Sequence, residues 1–228
     1  MPVSNVTVGT VAVKIDKDGS AQVVQKSYHN KGSVTFEAEV GATYQLVDDV
    51  GSFDDVKPGD WFKDAVAYTA ARTLMQGTGE KRFSPNENTS RGQLVTILYR
   101  LEGTPENKTE NIFTDVESGK YYTEAVVWAN ANEIVGGYGD GSFGAEDPVI
   151  REQLATILYR YAGAPKTDGI LEQFKDAGKA GKYAETALKW AVEKGIMSGK
   201  GNGILAPKGT AIRAEIAQML MNYMNKIG

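Results

Sequence analysis

The chain has 228 residues, 41% hydrophobic and 24% charged, a globular composition of about one and a half typical domains. A formal charge of −4 gives no basis for nucleic acid or an anionic membrane surface as main partner, since both demand a basic surplus. With no cysteine and one histidine, His29, thiol nucleophiles, disulfides, cysteine-ligated metals and multi-imidazole zinc sites are excluded, leaving carboxylate-only chemistry and plain binding.

No run of about 18 apolar residues occurs, so no membrane span is expected. The opening MPVSNVTVGT has neither a basic stretch nor an apolar one, so no secretory signal is read there. If the protein is exported, the sequence is a mature or excised piece. Val11, Val13 and Ile15 then alternate with polar neighbours, as do Val34, Phe36, Ala38 and Val40, and Tyr44 with Leu46. Period-two alternation predicts three or four strands, with KDGS at 17–20 and HNKG at 29–32 as turns. Residues 1–51 thus read as a β-rich segment, either the tail of an upstream β domain or a small subdomain leaning on a helical body. Asp16 and Asp18 hint at a calcium loop, but the glycine and glutamate that such a loop needs are Ala21 and Ser27. A hairpin turn is the better reading there, and His29 is expected to be a solvated loop residue.

From residue 52 the chain repeats. Phe53–Asp55 (FDD) recurs as FTD at 113–115 and FKD at 174–176, offsets of 60 and 61 residues. An aromatic follows each time (Trp61, Tyr121, Tyr183), then a helical stretch, AVAY at 65–68, AVVW at 125–128 and ALKW at 187–190. Glycine-rich turns begin at Gly77, Gly137 and Gly199, and each copy resumes at Arg91, Arg151 or Arg213 with a second helix. The boundaries read as 52–108, 109–169 and 170–228.

In the second helices Leu94, Ile97, Leu98 and Leu101 share a face, a spacing repeated by Leu154, Ile157, Leu158 and Tyr161 and by Ile216, Met219, Leu220 and Tyr223. Three such stripes are most simply buried against one another as a three-helix bundle, in a mainly α body, with the first helices packed outside. The glycine-rich turns would reverse the chain through positions of positive φ. They follow helices and lack a GK[ST] ending, so a phosphate-loop reading fails.

Arg91, Arg151 and Arg213 fall in the first helical turn, where a cation opposes the helix dipole and needs a compensating partner. Two partners are open on physical grounds. One is internal: ion pairs with Asp55, Asp115 and Asp176. The other is a ligand anion held jointly by the guanidinium and free N–H groups of the helix start. Trp61, Tyr121 and Tyr183 read first as core filling, with a sugar-stacking platform as the alternative.

The order F-x-D, aromatic, A-V, glycine-rich turn with F-x-P, then Arg-led helix resembles the S-layer homology family in three tandem copies. FDDVKPGDWFKDAVAY and FSPNENTSRGQLVTILYR follow that pattern from end to end. The resemblance implies a pseudo-threefold spindle around a central three-helix bundle, with ligand grooves between repeats. It also implies a non-catalytic extracellular anchor that binds secondary cell-wall polysaccharide, with a pyruvylated N-acetylmannosamine supplying the anion for the arginines. The expected glycan contacts are the three arginines, the three F-x-D aspartates, the three aromatics, Gly77, Gly137, Gly199, and Gln93, Gln153 and Glu215; no cofactor or metal is implied. The family's Thr-Arg-Ala-Glu signature stands here as Ser90-Arg91-Gly92-Gln93, Ile150-Arg151-Glu152-Gln153 and Ile212-Arg213-Ala214-Glu215, and Leu205 replaces the third turn aromatic. Three equivalent grooves are therefore not expected. Two other classes stay open: a self-assembly module of a surface layer, and a carboxylate-only glycoside hydrolase, which needs one unequal acid pair rather than acids in threefold copies.

Overall fold

The computed structural model describes residues 6–30, 32–49 and 51–227. The first five residues of the opening stretch and Lys31 of the HNKG turn lie outside the described residues. The chain divides into two compact units.

The first unit comprises Met1–Glu87, Arg100–Gly103 and Arg213–Gly228. Strand β1 (Thr10–Ile15) is flanked antiparallel by β2 (Ala21–Val23) and β5 (Thr43–Asp48), and β3 (Tyr28–Asn30) pairs with β4 (Ser33–Thr35). The KDGS segment is the β1–β2 hairpin turn. Asp18 accepts the Ser20 N–H at 2.9 Å and Asp16 accepts the Gln22 amide at 2.7 Å, so both acids close the turn. His29 is not in a loop: it stands in β3 opposite Val34. The 34–40 alternation yields strand only as far as Thr35, because the chain leaves the ladder there.

Helices α1 (Lys63–Ala71) and α6 (Arg213–Ile227) pack together, and β1 and β3 pack on α1 and α6 respectively. Arg72, just beyond α1, ties the sheet to the helix. It is wholly buried under the Tyr68 ring, 3.6 Å from the centroid, and donates to the carbonyls of Val8, Thr10, Ser27 and Tyr68. A buried guanidinium is tolerable when its donors meet main-chain acceptors that would otherwise lack partners.

The second unit comprises Asn88–Tyr99 and Thr104–Ile212. It holds most of α2 (Arg91–Leu101), all of α3 (Thr123–Ala131), α4 (Arg151–Tyr161) and α5 (Glu185–Glu193), and two short 3-10 turns at Ala177–Lys179 and Lys182–Ala184. Helices α4 and α5 pack together, with Tyr159 against Trp190 at 5.5 Å; Tyr99 meets Trp128 at the same distance. Ahead of the second helices, Val149 donates to the Thr89 carbonyl, Ala211 to Val149 and Thr89 to Ala211, at 2.9, 2.9 and 3.4 Å. That closed triangle takes one residue from each repeat.

The stripes are buried as expected, except that Tyr161 is only half-buried. Of the first helices, α1 and α3 bury residues on nearly every side, Ala65 to Thr69 in α1 and Ala125 to Ala129 in α3, whereas α5 buries one face, Ala187, Leu188, Trp190 and Ala191. The small alanines and threonines of α1 and α3 allow close approach from more than one direction.

Candidate functional site

Each glycine-rich turn is held from two sides by the same pair of side chains. The F-x-D aspartate caps its own repeat's turn: Asp55 accepts the N–H groups of Phe83 and Ser84 at 2.8 Å, Asp115 those of Phe143 and Gly144 at 2.7 Å, and Asp176 those of Leu205 and Ala206 at 2.8 and 2.9 Å. Desolvation pushes Asp55 and Asp115 upward, yet their paired N–H bonds outweigh it and leave both carboxyls below the ordinary range. At Asp176 the Leu205 N–H is the leading cause, with the same result.

The arginines grip the turn from a different repeat. Arg91 Nε donates to the Phe143 carbonyl at 3.0 Å and its Nη2 to Gly136 at 3.1 Å. Arg151 does the same to Leu205 and Ser198, at 3.0 and 2.6 Å, and Arg213 to Phe83 and Gln76, at 2.8 and 2.7 Å. Ion pairs with the F-x-D carboxylates, one of the two partners left open by the sequence, do not form at Arg91 or Arg213: among the described residues neither bonds a carboxylate. The carboxylates are committed to N–H groups of the same turns whose carbonyls the arginines take. Carbonyl dipoles thus supply the negative partner that the helix start denies. Burial lowers the Arg91 and Arg213 pKa values from their ordinary level, and Arg91 retains only 5% of its exposure.

The helix-start N–H groups are not free either. Arg91 and Gly92 donate to the carbonyls of Asp147 and Ala145, Arg151 and Glu152 to those of Gly209 and Pro207, and Arg213 and Ala214 to those of Glu87 and Pro85. An anion held jointly by a guanidinium and those first two N–H groups is therefore ruled out. Gln93 completes a capping box with Ser90, accepting the Ser90 N–H at 3.0 Å while its own N–H reaches Ser90 Oγ at 3.3 Å. Gln153 accepts the Ile150 N–H at 3.2 Å, the half that remains where the cap has no hydroxyl. Glu215 occupies the same register in α6, half-buried.

Gly77, Gly137 and Gly199 are demanded by packing. A Cβ there would lie 2.6, 2.3 and 2.7 Å from the carbonyl oxygens of Arg82, Ser142 and Ile204, and hard against the rings of Phe53, Phe113 and Phe174. Positive φ is instead found further on, at Gly139, Gly141 and Gly144 in the second turn.

Trp61, Tyr121 and Tyr183 are not core residues. They keep 60%, 56% and 56% of their exposure, while the following residues, Phe62, Tyr122 and Ala184, are buried in their place. Trp61 and Tyr121 stand edge-on to those neighbours, at 5.2 and 5.0 Å between centroids. An exposed ring fixed at its base suits apolar sugar faces.

In the second unit a cavity of about 390 Å³ gathers several of these groups. Arg91, Gly137, Gln153 and Tyr183 line it, together with three residues that the sequence pattern did not single out: Tyr138, Thr156 and Arg160. Tyr138 follows the turn glycine directly, a signal that the sequence carries. Its ring lies 5.0 Å from the Arg91 guanidinium carbon, Phe143 lies 4.6 Å away, and its hydroxyl donates to Asp147 at 2.9 Å. Two of the five N–H donors of Arg91 serve carbonyls, and the other three have no acceptor among the described residues. Asp115 holds the turn behind this cavity and does not line it.

The model of the S-layer homology domain matches residues 52–95, 112–155 and 173–217, more than half of the chain. The chain belongs to the S-layer homology domain family. It is 28% identical to an amylopullulanase of Thermoanaerobacterium thermosulfurigenes across 87% of this chain and 11% of the relative. It is 24% identical to an S-layer protein of Bacillus thuringiensis subsp. finitimus across 86% and 24% of the two. With a cellulosome-anchoring protein of Acetivibrio thermocellus the figures are 25% identity across 63% and 34%. The chain therefore spans a minor part of the length of these relatives. The three matched segments each contain one F-x-D aspartate, the exposed aromatic that follows it and one turn-gripping arginine, so the scaffold described above is that of three S-layer homology repeats. Among the described residues no helix is long and apolar enough to cross a membrane, and no cluster of acids and histidine could hold a metal ion.

Proposed function

We propose that this chain is a non-catalytic module that holds its parent protein on the outside of a bacterial cell by binding secondary cell-wall polysaccharide. The observation that carries the reading is the cavity beside α4, where a buried guanidinium with spare donors and no bonded carboxylate meets tyrosine rings. A buried cation favours an anionic ligand, because desolvation has removed the water that would otherwise satisfy it. A pyruvate ketal on N-acetylmannosamine supplies that carboxylate on a sugar whose faces suit the tyrosines. The relatives support the surface setting: one is an S-layer protein, another an anchoring protein, and in the amylopullulanase the matched stretch is a small fraction. The acids support the absence of catalysis, since the three F-x-D carboxylates are alike and each is engaged by two main-chain N–H groups. The pseudo-threefold spindle with a central bundle of second helices is part of the proposal, and the hydrogen-bonded triangle of Thr89, Val149 and Ala211 supports it.

Co-sedimentation with purified pyruvylated wall polymer tests the function. The chain is expected to pellet with the polymer and to lose most of that binding once mild acid has removed the ketal. Equal binding to the stripped polymer, or none to either, would overturn it.

A further inference from the structure

The three repeats share a scaffold, but the cavity beside α4 has Tyr138 and Glu152 where the corresponding positions carry Thr78 and Lys200, and Gly92 and Ala214. We infer that, in this cavity, Glu152 is the positioning residue for Tyr183 and Arg160 a second cationic contact for the saccharide's carboxylate. The inference rests on the functional reading above and names two further residues within its site.

Arg160 stands in the last turn of α4 and lines the cavity with Arg91. It is exposed, and among the described residues its guanidinium has no ion pair or side-chain hydrogen bond, so it brings a solvent-facing charge to the cavity wall. Two guanidinium groups around one cavity match a carboxylate better than one, because each can donate in its own plane. The register-equivalent residue is Arg100 in α2 and Asn222 in α6. At the Gln153 position α6 carries Glu215, whose charge would oppose an anion.

Glu152 is specific to the second repeat; the equivalents are Gly92 and Ala214. Its side chain is buried, yet every contact is satisfied: Tyr183 Oη donates to it at 2.7 Å, the Gly181 N–H at 3.0 Å and Lys208 Nζ at 2.6 Å. Burial pushes this carboxyl up, but Lys208, Gly181 and Tyr183 outweigh it and hold it below the ordinary range. A buried, charge-paired acceptor fixes a phenol far more tightly than solvent does. Tyr183 is otherwise half in water, so Glu152 keeps its ring at the cavity mouth. In the first repeat no acid could take this place, because a Cβ on Gly92 would already lie 2.9 Å from the Ala145 carbonyl oxygen and 3.2 Å from the Tyr122 ring.

The test measures affinity of the full chain for pyruvylated wall polymer and for the same polymer stripped of its ketal. Arg160→Gln is expected to weaken binding to the pyruvylated form about tenfold, the loss of one charge-assisted contact, with little effect on the stripped form. Tyr183→Phe and Glu152→Gln are each expected to weaken it severalfold, and the double variant no more than the worse single one, since both act on the one Tyr183–Glu152 bond, removing its donor or its charge. A merely structural role for Glu152 would instead give additive losses and equal effects on both polymers, and would overturn its assignment. Wild-type binding that all three variants retain would overturn the choice of this cavity while leaving the anchor function intact. Failure of the wild-type chain to bind pyruvylated polymer would overturn the function itself and this inference with it.

Discussion

The second and third glycine-rich turns are built on one frame and furnished differently. In both, an aspartate takes two consecutive N–H groups and an arginine from the preceding repeat takes two carbonyls. Yet the second turn presents Tyr138, Phe143 and Gly144, where the third presents Lys200, Leu205 and Ala206. Framework and proposed ligand contacts overlap at Arg91 and are otherwise separable: substitutions in the frame should weaken folding alike in both turns, whereas substitutions in the furnishing should act on binding at one.

The largest effect is expected from the arginines. Arg91→Ala and Arg151→Ala each leave two buried carbonyls without donors and a cavity beside them, a loss of about 3 kcal/mol of stability in urea unfolding. If one of them unfolds the chain and the other is silent, the frame is not shared. Next come Asp115→Ala and Asp176→Ala, about 1–2 kcal/mol each at neutral pH, because these carboxylates are partly open to solvent. Their folded pKa values lie below the ordinary 3.8, so their contribution is full above that pH and is lost as pH falls through the lower folded values. Wild type and variants should therefore converge in stability as pH falls below about 3.8, and a difference that stays constant into stronger acid would contradict the N–H bonding as its source.

A smaller effect sharpens the contrast. Gly144 has φ 72°, and a Cβ there would lie 2.4 Å from Asp147 Oδ2 and 2.5 Å from the Tyr138 ring. Ala206 has φ 55° at the same register, and Lys200 stands at the position of Tyr138 there. Gly144→Ala should cost about 1 kcal/mol and displace Tyr138, weakening glycan binding, whereas Ala206→Gly should be neutral or stabilising by up to about 1 kcal/mol. The smallest effect on folding is Tyr121→Ala, within about 0.5 kcal/mol, since that ring is largely exposed. A larger loss in thermal unfolding would return Tyr121 to the core.

What can be read from the sequence depends on whether the partner is local. The second-helix stripes are legible because burial imposes a helical period on one face, and Leu94, Ile97 and Leu98 obey it. The helix dipole marks the arginines as needing a partner but does not choose one, since the partners lie 45 to 137 residues away in main-chain carbonyls that have no sequence signature. The aromatics miss the core by one residue of phase: in Trp61-Phe62 and Tyr121-Tyr122 either ring could fill it, and the turn geometry sends the second inward. His29 reads as a loop residue because the turn-forming residues directly after it mask a three-residue strand. Glu152 is visible in the sequence only as a departure from the family signature, although departures in one copy of a repeat are where a site's individuality is expected.

The central claim, that the cavity between Arg91, Tyr138, Tyr183 and Arg160 holds the wall glycan's carboxylate, is tested most directly by crystals soaked with a pyruvylated N-acetylmannosamine. Density for the carboxylate is expected within hydrogen-bonding distance of Arg91 and Arg160, with the sugar against a tyrosine ring. Density at another position, with this cavity empty, would contradict it.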